Sequence, residues 1–199
     1  MIKGVFGLPG CGKSTYLQKL ATKYSKKGHK VYSVGAEFDR AEYVPIEYFG
    51  RADLSNSLIL IDEISLFFDS RDFKSLDKLS KRFFILHRHY HCDIVWATQQ
   101  FDGVDRKVRE LTAYLSRLAK VGPFTLEIPC KWHIFIPTHK ILQNSPSAEI
   151  HSTYIKPGAL SMLPVLFSRK SWTFRPFHYS KFNSFEAPEL IPLDKMKNM

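Results

Sequence analysis

The segment Gly7-Leu8-Pro9-Gly10-Cys11-Gly12-Lys13-Ser14 decides the fold. It fits G-x-x-x-x-G-K-[S/T] at every fixed position. Glycines let such a loop turn tightly enough for its N–H groups to converge on phosphate oxygens. A helix opening near Lys13 adds the positive end of its dipole. In this arrangement Lys13 reaches the β- and γ-phosphates and the Ser14 hydroxyl ligates Mg²⁺. Gly7, Pro9, Gly10, Cys11, Gly12, Lys13, Ser14 and Thr15 are therefore the expected binding set, with ATP and Mg²⁺ as ligands. An incidental glycine-rich turn would need no strand before it and no helix after it. Both flanks are present. Residues 2–6 are short, mostly apolar and end at glycine, as a buried parallel strand does. Residues 13–25 carry Leu17, Leu20 and Tyr24 at helical spacing, and Gly28 closes that helix.

Further along, residues 30–34 read as a second strand. Leu58-Ile59-Leu60-Ile61 is a continuous apolar run, the pattern of a strand buried on both faces. A helix is expected over 72–90, a buried strand over 94–97 and a helix over 107–118. Residues 35–57 give no clear pattern beyond loop and a short helix. The alternation specifies an α/β fold, a mostly parallel sheet flanked by helices. Past Gly122-Pro123 the character changes. Residues 125–128, 132–136 and 172–177 bunch β-formers between prolines and suggest hairpins. The expected organisation is a P-loop core over 1–120 and a β-rich extension over 121–199, packed on the same domain. Whether that extension continues the sheet or forms a platform on its edge stays open.

Asp62-Glu63 closes the 58–61 strand, at the carboxyl edge where α/β ligands bind. Asp62 is the expected metal-linked carboxylate beside Ser14. Glu63 points differently off the strand end and suits the base that orients or deprotonates an attacking water. The alternative for Glu63 is a mere cap on the next segment. Thr98-Gln99-Gln100 follows the 94–97 strand, and Gln99 is chosen as the side chain that senses the γ-phosphate or positions water. Arg71 and Arg109 are the candidates for neutralising charge in the transition state, in trans if the protein forms a ring; each is also an ordinary ion-pairing residue. Lys13, Glu63, Gln99, Arg109 and Arg71 make up the expected catalytic set. The 94–97 strand should lie between the phosphate-loop strand and the 58–61 strand. Direct adjacency of the latter two would instead point to a small-molecule phosphotransferase.

The chain of 199 residues carries a net charge of +10, and no acidic residue precedes Glu37. Lys19, Lys23, Lys26, Lys27 and Lys30 crowd the first helix and its exit. Such a balance favours a polyanionic partner, nucleic acid ahead of an anionic membrane face, over a merely solvated surface. Cys11, Cys92 and Cys130 have no paired spacing, which argues for reduced thiols and against a disulfide framework or zinc site. His87 and His91 would share a helical face, but no acidic or cysteine partner stands at metal spacing, so a basic helix end is the better reading. No apolar run approaches a membrane span, and the glycine loop begins too soon after Met1 for a signal peptide, so a cytoplasmic location is expected.

With these residues in place, the chain resembles the zonular occludens toxin N-terminal domain family, filamentous-phage assembly ATPases of the FtsK/HerA-like branch of P-loop motors. The resemblance rests on Asp62-Glu63, Asp69-Ser70-Arg71, His87-Arg88-His89-Tyr90 with Asp93-Ile94, Gln99, and Asp105-Arg106-Lys107-Val108-Arg109. It covers roughly residues 1–120; Tyr179 to Glu186 is only faintly similar to a later family segment. It implies ATP hydrolysis that drives assembly and export of a single-stranded DNA virion, by a homo-oligomer in contact with DNA and with phage coat or assembly proteins. The family acts at the host inner membrane through a segment absent from this chain. The chain is then either an excised cytoplasmic domain or a soluble relative such as a genome-packaging ATPase, and a non-catalytic nucleotide-gated scaffold is a further alternative. A second departure is His91, where relatives tend to carry glycine at a helix end.

Overall fold

The computed structural model of the chain describes residues 1–68, 78–131 and 171–182. Among these, eight strands form one sheet: β1 (Ile2–Phe6), β2 (Lys30–Val34), β3 (Glu42–Tyr43), β4 (Ser57–Ile61), β5 (Asp93–Thr98), β6 (Tyr114–Val121), β7 (Phe124–Lys131) and β8 (Trp172–Phe174). Their order across the sheet is β3-β2-β4-β5-β1-β6-β7-β8. The pairs from β3 to β6 are all parallel, and β7 and β8 then add antiparallel. Three helices accompany them: α1 (Lys13–Ser25), α2 (Lys78–Leu86) and α3 (Arg106–Leu111).

The apolar run in β4 is continuous because both faces of the strand are covered. Leu58 and Leu60 pack with α1 through Tyr16, Leu17 and Ala21. Ile59 and Ile61 face the opposite layer with Phe83, Phe84 and Val108. Each such side chain, fully buried, stabilises the fold by about 1.5–3 kcal/mol. Strand β5 divides the same way, Val95 and Ala97 to one layer and Ile94 and Trp96 to the other. Gly4 in β1 leaves room for Trp96, whose ring would overlap any Cβ placed there. Beyond β4, Phe49 sits among Phe68, Phe83 and Phe84 with ring centroids 4.9–6.0 Å away.

Strand β5 lies between β1 and β4, in register from Ile2↔Ile94 and from Leu58↔Asp93. The carboxylate-bearing strand is thus separated from the phosphate-loop strand by one strand, the expected arrangement and not that of a small-molecule phosphotransferase.

Three local expectations need correction. The helix expected over 107–118 stops at Leu111, and 114–121 is strand. Leu111, Leu115 and Leu118 do fall at helical spacing, but the free edge of β1 must find backbone partners. Ala113 N donates to Ile2 O at 3.0 Å, and residues 114–117 pair with β1. The helix expected to reach residue 90 ends at Leu86, because Arg88 to His91 form turns and Asn56 N takes the Tyr90 carbonyl at 2.9 Å. His91 there has φ of 54°, a left-handed conformation that glycine adopts more readily, so histidine keeps the turn at some cost. Strand character in 172–177 ends at Phe174; Pro176 has no N–H to continue a ladder, and 175–181 form 3₁₀ turns. Gly122-Pro123 is the turn of the β6–β7 hairpin, and the β-rich residues beyond it continue the sheet antiparallel. Expectations over 72–77, 132–136 and 183–186 lie outside the described residues. No helix among the described residues is long and apolar enough to cross a membrane.

Residue 127 ties the hairpin to the core. Lys3 Nζ is 2.5 Å from Glu127 Oε1 and 2.7 Å from the Tyr16 hydroxyl, and Ser116 Oγ donates to Glu127 at 2.9 Å. Burial pushes the Glu127 carboxyl up, but Lys3 and the hydrogen bonds of Lys3, Ser116 and Tyr16 outweigh it and hold it below the ordinary glutamate range. The stability this pair contributes is therefore present above pH ~4.3, the unfolded glutamate value, and is lost as pH falls through the lower folded value. Glu127→Gln should destabilise the protein by about 1–3 kcal/mol at pH 7, discounted from a fully buried pair. The gap between variant and wild type should close on acidification through and below that range. Thermal unfolding of both proteins across pH checks this.

Candidate active site

Strand β1 ends at Phe6, and the loop 7–12 turns directly into α1. The turn is closed by Cys11 N donating to Leu8 O at 3.2 Å. Gly12 is the residue before the helix and has φ of 95°, which a side chain would strain. Gly7 N is taken by Thr98 O at 3.3 Å, so Gly7 anchors the loop to β5. Leu8, Pro9 and Gly10 are exposed at the tip, while Cys11 and Thr15 are buried beneath it. Burial raises the Cys11 thiol above its ordinary value, against a smaller opposing effect of Lys13. Lys13 is 8% exposed, and its Nζ donates to Gly7 O at 3.1 Å and Leu8 O at 3.5 Å.

Ser14, the second residue of α1, meets the end of β4. Its Oγ donates to Asp62 Oδ2 at 2.6 Å. Asp62 is held from the other side by its own backbone N–H on Val34 O at 2.9 Å. Desolvation raises the Asp62 carboxyl above the ordinary range, and the Ser14 hydrogen bond opposes this. A hydroxyl and a partly buried carboxylate in direct contact, with Lys13 beside them, form an oxygen donor set suited to a small hard cation. The residues present therefore fit Mg²⁺.

Glu63 adopts φ 46° and ψ 61°, a left-handed conformation uncommon for a residue with a side chain. That turn carries its carboxylate across to β5. Oε1 accepts from Ser65 Oγ at 2.7 Å, Thr98 Oγ1 at 2.9 Å and Gln99 N at 3.1 Å. Three donors on one oxygen offset the backbone cost, on the order of 1–2 kcal/mol. Gln99 reaches Glu63 through its backbone, and its residue is exposed. Thr98, buried at the last position of β5, orients Glu63 together with Ser65. Sequence reasoning weighed Thr98 and set it aside; its one signal was a hydroxyl closing an apolar strand.

Arg109, on α3, has its guanidinium 5.5 Å from the centre of the Phe101 ring and 3.6 Å from Asp102. Phe101 in turn lies 5.9 Å from Phe6 at the base of the loop. Arg71 lies outside the described residues. Of the basic cluster, Lys23, Lys26, Lys27 and Lys30 are exposed at the end of α1 away from the loop. Lys19 instead donates to Trp172 O at 2.7 Å and Thr173 Oγ1 at 3.0 Å, and burial lowers its affinity for its proton. His87 is buried with Nδ1 2.7 Å from Phe84 O.

Sequence reasoning missed two residues that touch the loop. Arg175 donates to Gly10 O at 3.1 Å and to Gly122 O at 2.5 Å. Thr125 Oγ1 donates to Cys11 O at 2.7 Å. No spacing links either to the loop, and only the folded sheet brings them there.

The architecture is shared with solved structures. The genome packaging NTPase B204 from Sulfolobus turreted icosahedral virus 2, in complex with AMPPCP, matches with a TM-score of 0.51 at 14% identity, over 61% of this chain and 76% of that one. Its complex with ATP-gammaS gives 0.50 at 15% identity, over 61% and 75%. The N-terminal domain of zonular occludens toxin from Neisseria meningitidis gives 0.47 at 18% identity, over 76% and 89%. No curated protein matches the chain in sequence. The fold of these packaging enzymes is that of a P-loop NTPase, and the parallel strands, the loop 7–14 and the position of β5 agree with it. A model of the family described as zonular occludens toxin (Zot) matches residues 17–156, beginning just past the phosphate loop, which therefore stands on its own geometry. Over well more than half its length, then, this chain belongs to the zonular occludens toxin (Zot) family.

Proposed function

We propose that this protein is a Mg²⁺-dependent ATPase whose hydrolysis drives phage virion assembly and export or DNA translocation. The observation that carries the reading is the contact of Ser14 with Asp62 at 2.6 Å, with Glu63 next in the chain turned toward β5. Ser14 and Asp62 would hold magnesium, which when bound would supply positive charge against the charge that develops on the transferred phosphoryl group. Lys13 exchanges the carbonyls of Gly7 and Leu8 for phosphate oxygens. The Gly12 and Lys13 amides and the α1 dipole bind the same group. Glu63, held by Thr98, orients and deprotonates the attacking water. A homo-oligomeric ring would let Arg109 or Arg71 act on a neighbour's nucleotide.

Membership of the Zot family supports the phage role. The fold shared with a viral genome packaging NTPase solved with ATP-gammaS supports nucleotide binding and the packaging variant of the reading. The exposed lysines at the far end of α1, with the net charge of +10, support a nucleic-acid partner, with single-stranded DNA favoured. ATP turnover measured with and without single- and double-stranded DNA tests the proposal. Magnesium-dependent turnover stimulated by single strands is expected. DNA affinity should fall with salt at a slope of about −0.7 for each phosphate contacted. Turnover indifferent to DNA, with no salt-dependent binding, would leave a protein-assembly role alone. Absence of ATP binding would remove the enzyme reading.

A further inference from the structure

We propose that Arg175 is a positioning residue for the phosphate loop, through which the segment 171–182 sets how tightly the loop holds a nucleotide. The inference rests on the nucleotide reading of residues 7–14 and deepens it.

The geometry starts from two adjacent peptide units. Within one trans peptide the C=O and the N–H point in opposite directions. Thr125 Oγ1 holds the Cys11 carbonyl at 2.7 Å, so the N–H of Gly12, in the same unit, is turned away from β7. Arg175 Nη1 holds the Gly10 carbonyl at 3.1 Å, and the N–H of that unit, on Cys11, closes the turn on Leu8 O at 3.2 Å. Two successive carbonyls of the loop are thus held from behind: the Cys11 N–H is spent on the turn, and the Gly12 N–H is left to face the phosphate side. Contact is close throughout: a Cβ at Gly12 would strike the Thr125 hydroxyl and lie 3.0 Å from Arg175 Cδ.

Arg175 is itself well fixed. It is 8% exposed, its Nη2 donates to Gly122 O at 2.5 Å and its backbone N–H to Pro123 O at 3.0 Å. Its Nε is buried without a partner among the described residues. One guanidinium therefore spans the β6–β7 turn and the phosphate loop, a fork geometry that an ammonium cannot reproduce. The same segment is fastened to α1 by Lys19 on Trp172 O and Thr173, and to the exit of β2 by Asp39 N on Lys181 O at 3.0 Å. Hydrogen bonds thus join loop, helix and segment.

Nucleotide affinity measured with ATP-gammaS on the full chain tests this. Arg175→Ala should weaken binding by about tenfold or more, the loss of one charge-assisted hydrogen bond and of loop order. Arg175→Lys should stay impaired, because it keeps the charge and loses the fork. The amide resonance of Gly12 in the nucleotide-bound protein should shift in both variants. Binding within twofold of wild type in Arg175→Ala overturns the inference, and so does full recovery in Arg175→Lys, which would make charge alone sufficient. Should Arg175→Ala fail to fold, Thr125→Val removes the neighbouring hydrogen bond without touching a charge. A weakening of about threefold to tenfold is then expected, and unchanged affinity overturns the proposal. Lys13→Ala separates the two levels of the argument. If wild type binds and Lys13→Ala does not, the outcome at Arg175 concerns the inference alone; if wild type fails to bind, the nucleotide reading falls as well.

Discussion

Lys13→Ala is expected to lower ATP affinity by at least about a hundredfold, measured by titration with a fluorescent or non-hydrolysable ATP analogue. The ammonium is almost enclosed, with the carbonyls of Gly7 and Leu8 as its hydrogen-bond acceptors. Those are weak competitors for an ammonium that a triphosphate, carrying several negative charges, can reach by a small movement. Alanine removes the charge and leaves the loop backbone, whose turn is closed by Cys11 N on Leu8 O and braced by Thr125. The variant should therefore unfold at nearly the wild-type temperature while losing its ligand. Binding that survives the substitution would show that the loop does not hold phosphate.

Glu63→Gln should have the opposite profile: nucleotide affinity within a few-fold of wild type, and hydrolysis slowed by about 10²–10⁴, the range for loss of a positioned general base. The reason lies in the partners of Oε1. Ser65, Thr98 and Gln99 N all donate to that oxygen, and the amide oxygen of glutamine can still accept from all three, though each bond is weaker without the charge. The left-handed turn at Glu63 is retained for the same reason, so the side chain stays in place with its basicity removed. Single-turnover measurement of phosphate release, set beside analogue binding, separates the two effects. Normal turnover in this variant would take Glu63 out of the chemistry and leave it as a brace between β4 and β5.

Much of the core was legible in local pattern. Helix α1 occupies residues 13–25 and β2 residues 30–34, as their spacing indicates, because Leu17, Leu20 and Tyr24 repeat at helical intervals and Gly28 stops the chain. The unbroken run in β4 announced a strand covered on both faces. The segment 107–118 shows the limit of such reading. Its leucines satisfy helical spacing, and the deciding factor was the unpaired edge of β1, which no window on residues 107–118 contains.

The amino-acid sequence by itself determined the phosphate loop, its strand and helix, and the carboxylate pair that follows β4. Each of these depends on residues adjacent in the chain, where glycine conformation, apolar runs and side-chain chemistry act over a few positions. Only the tertiary structure decided that the Ser14 hydroxyl meets Asp62, that Thr98 holds Glu63, and that Thr125 and Arg175 hold the loop from behind. Those contacts join residues 35 to 165 positions apart, and they come from the order in which strands pair, which sets what stands at one edge of the sheet.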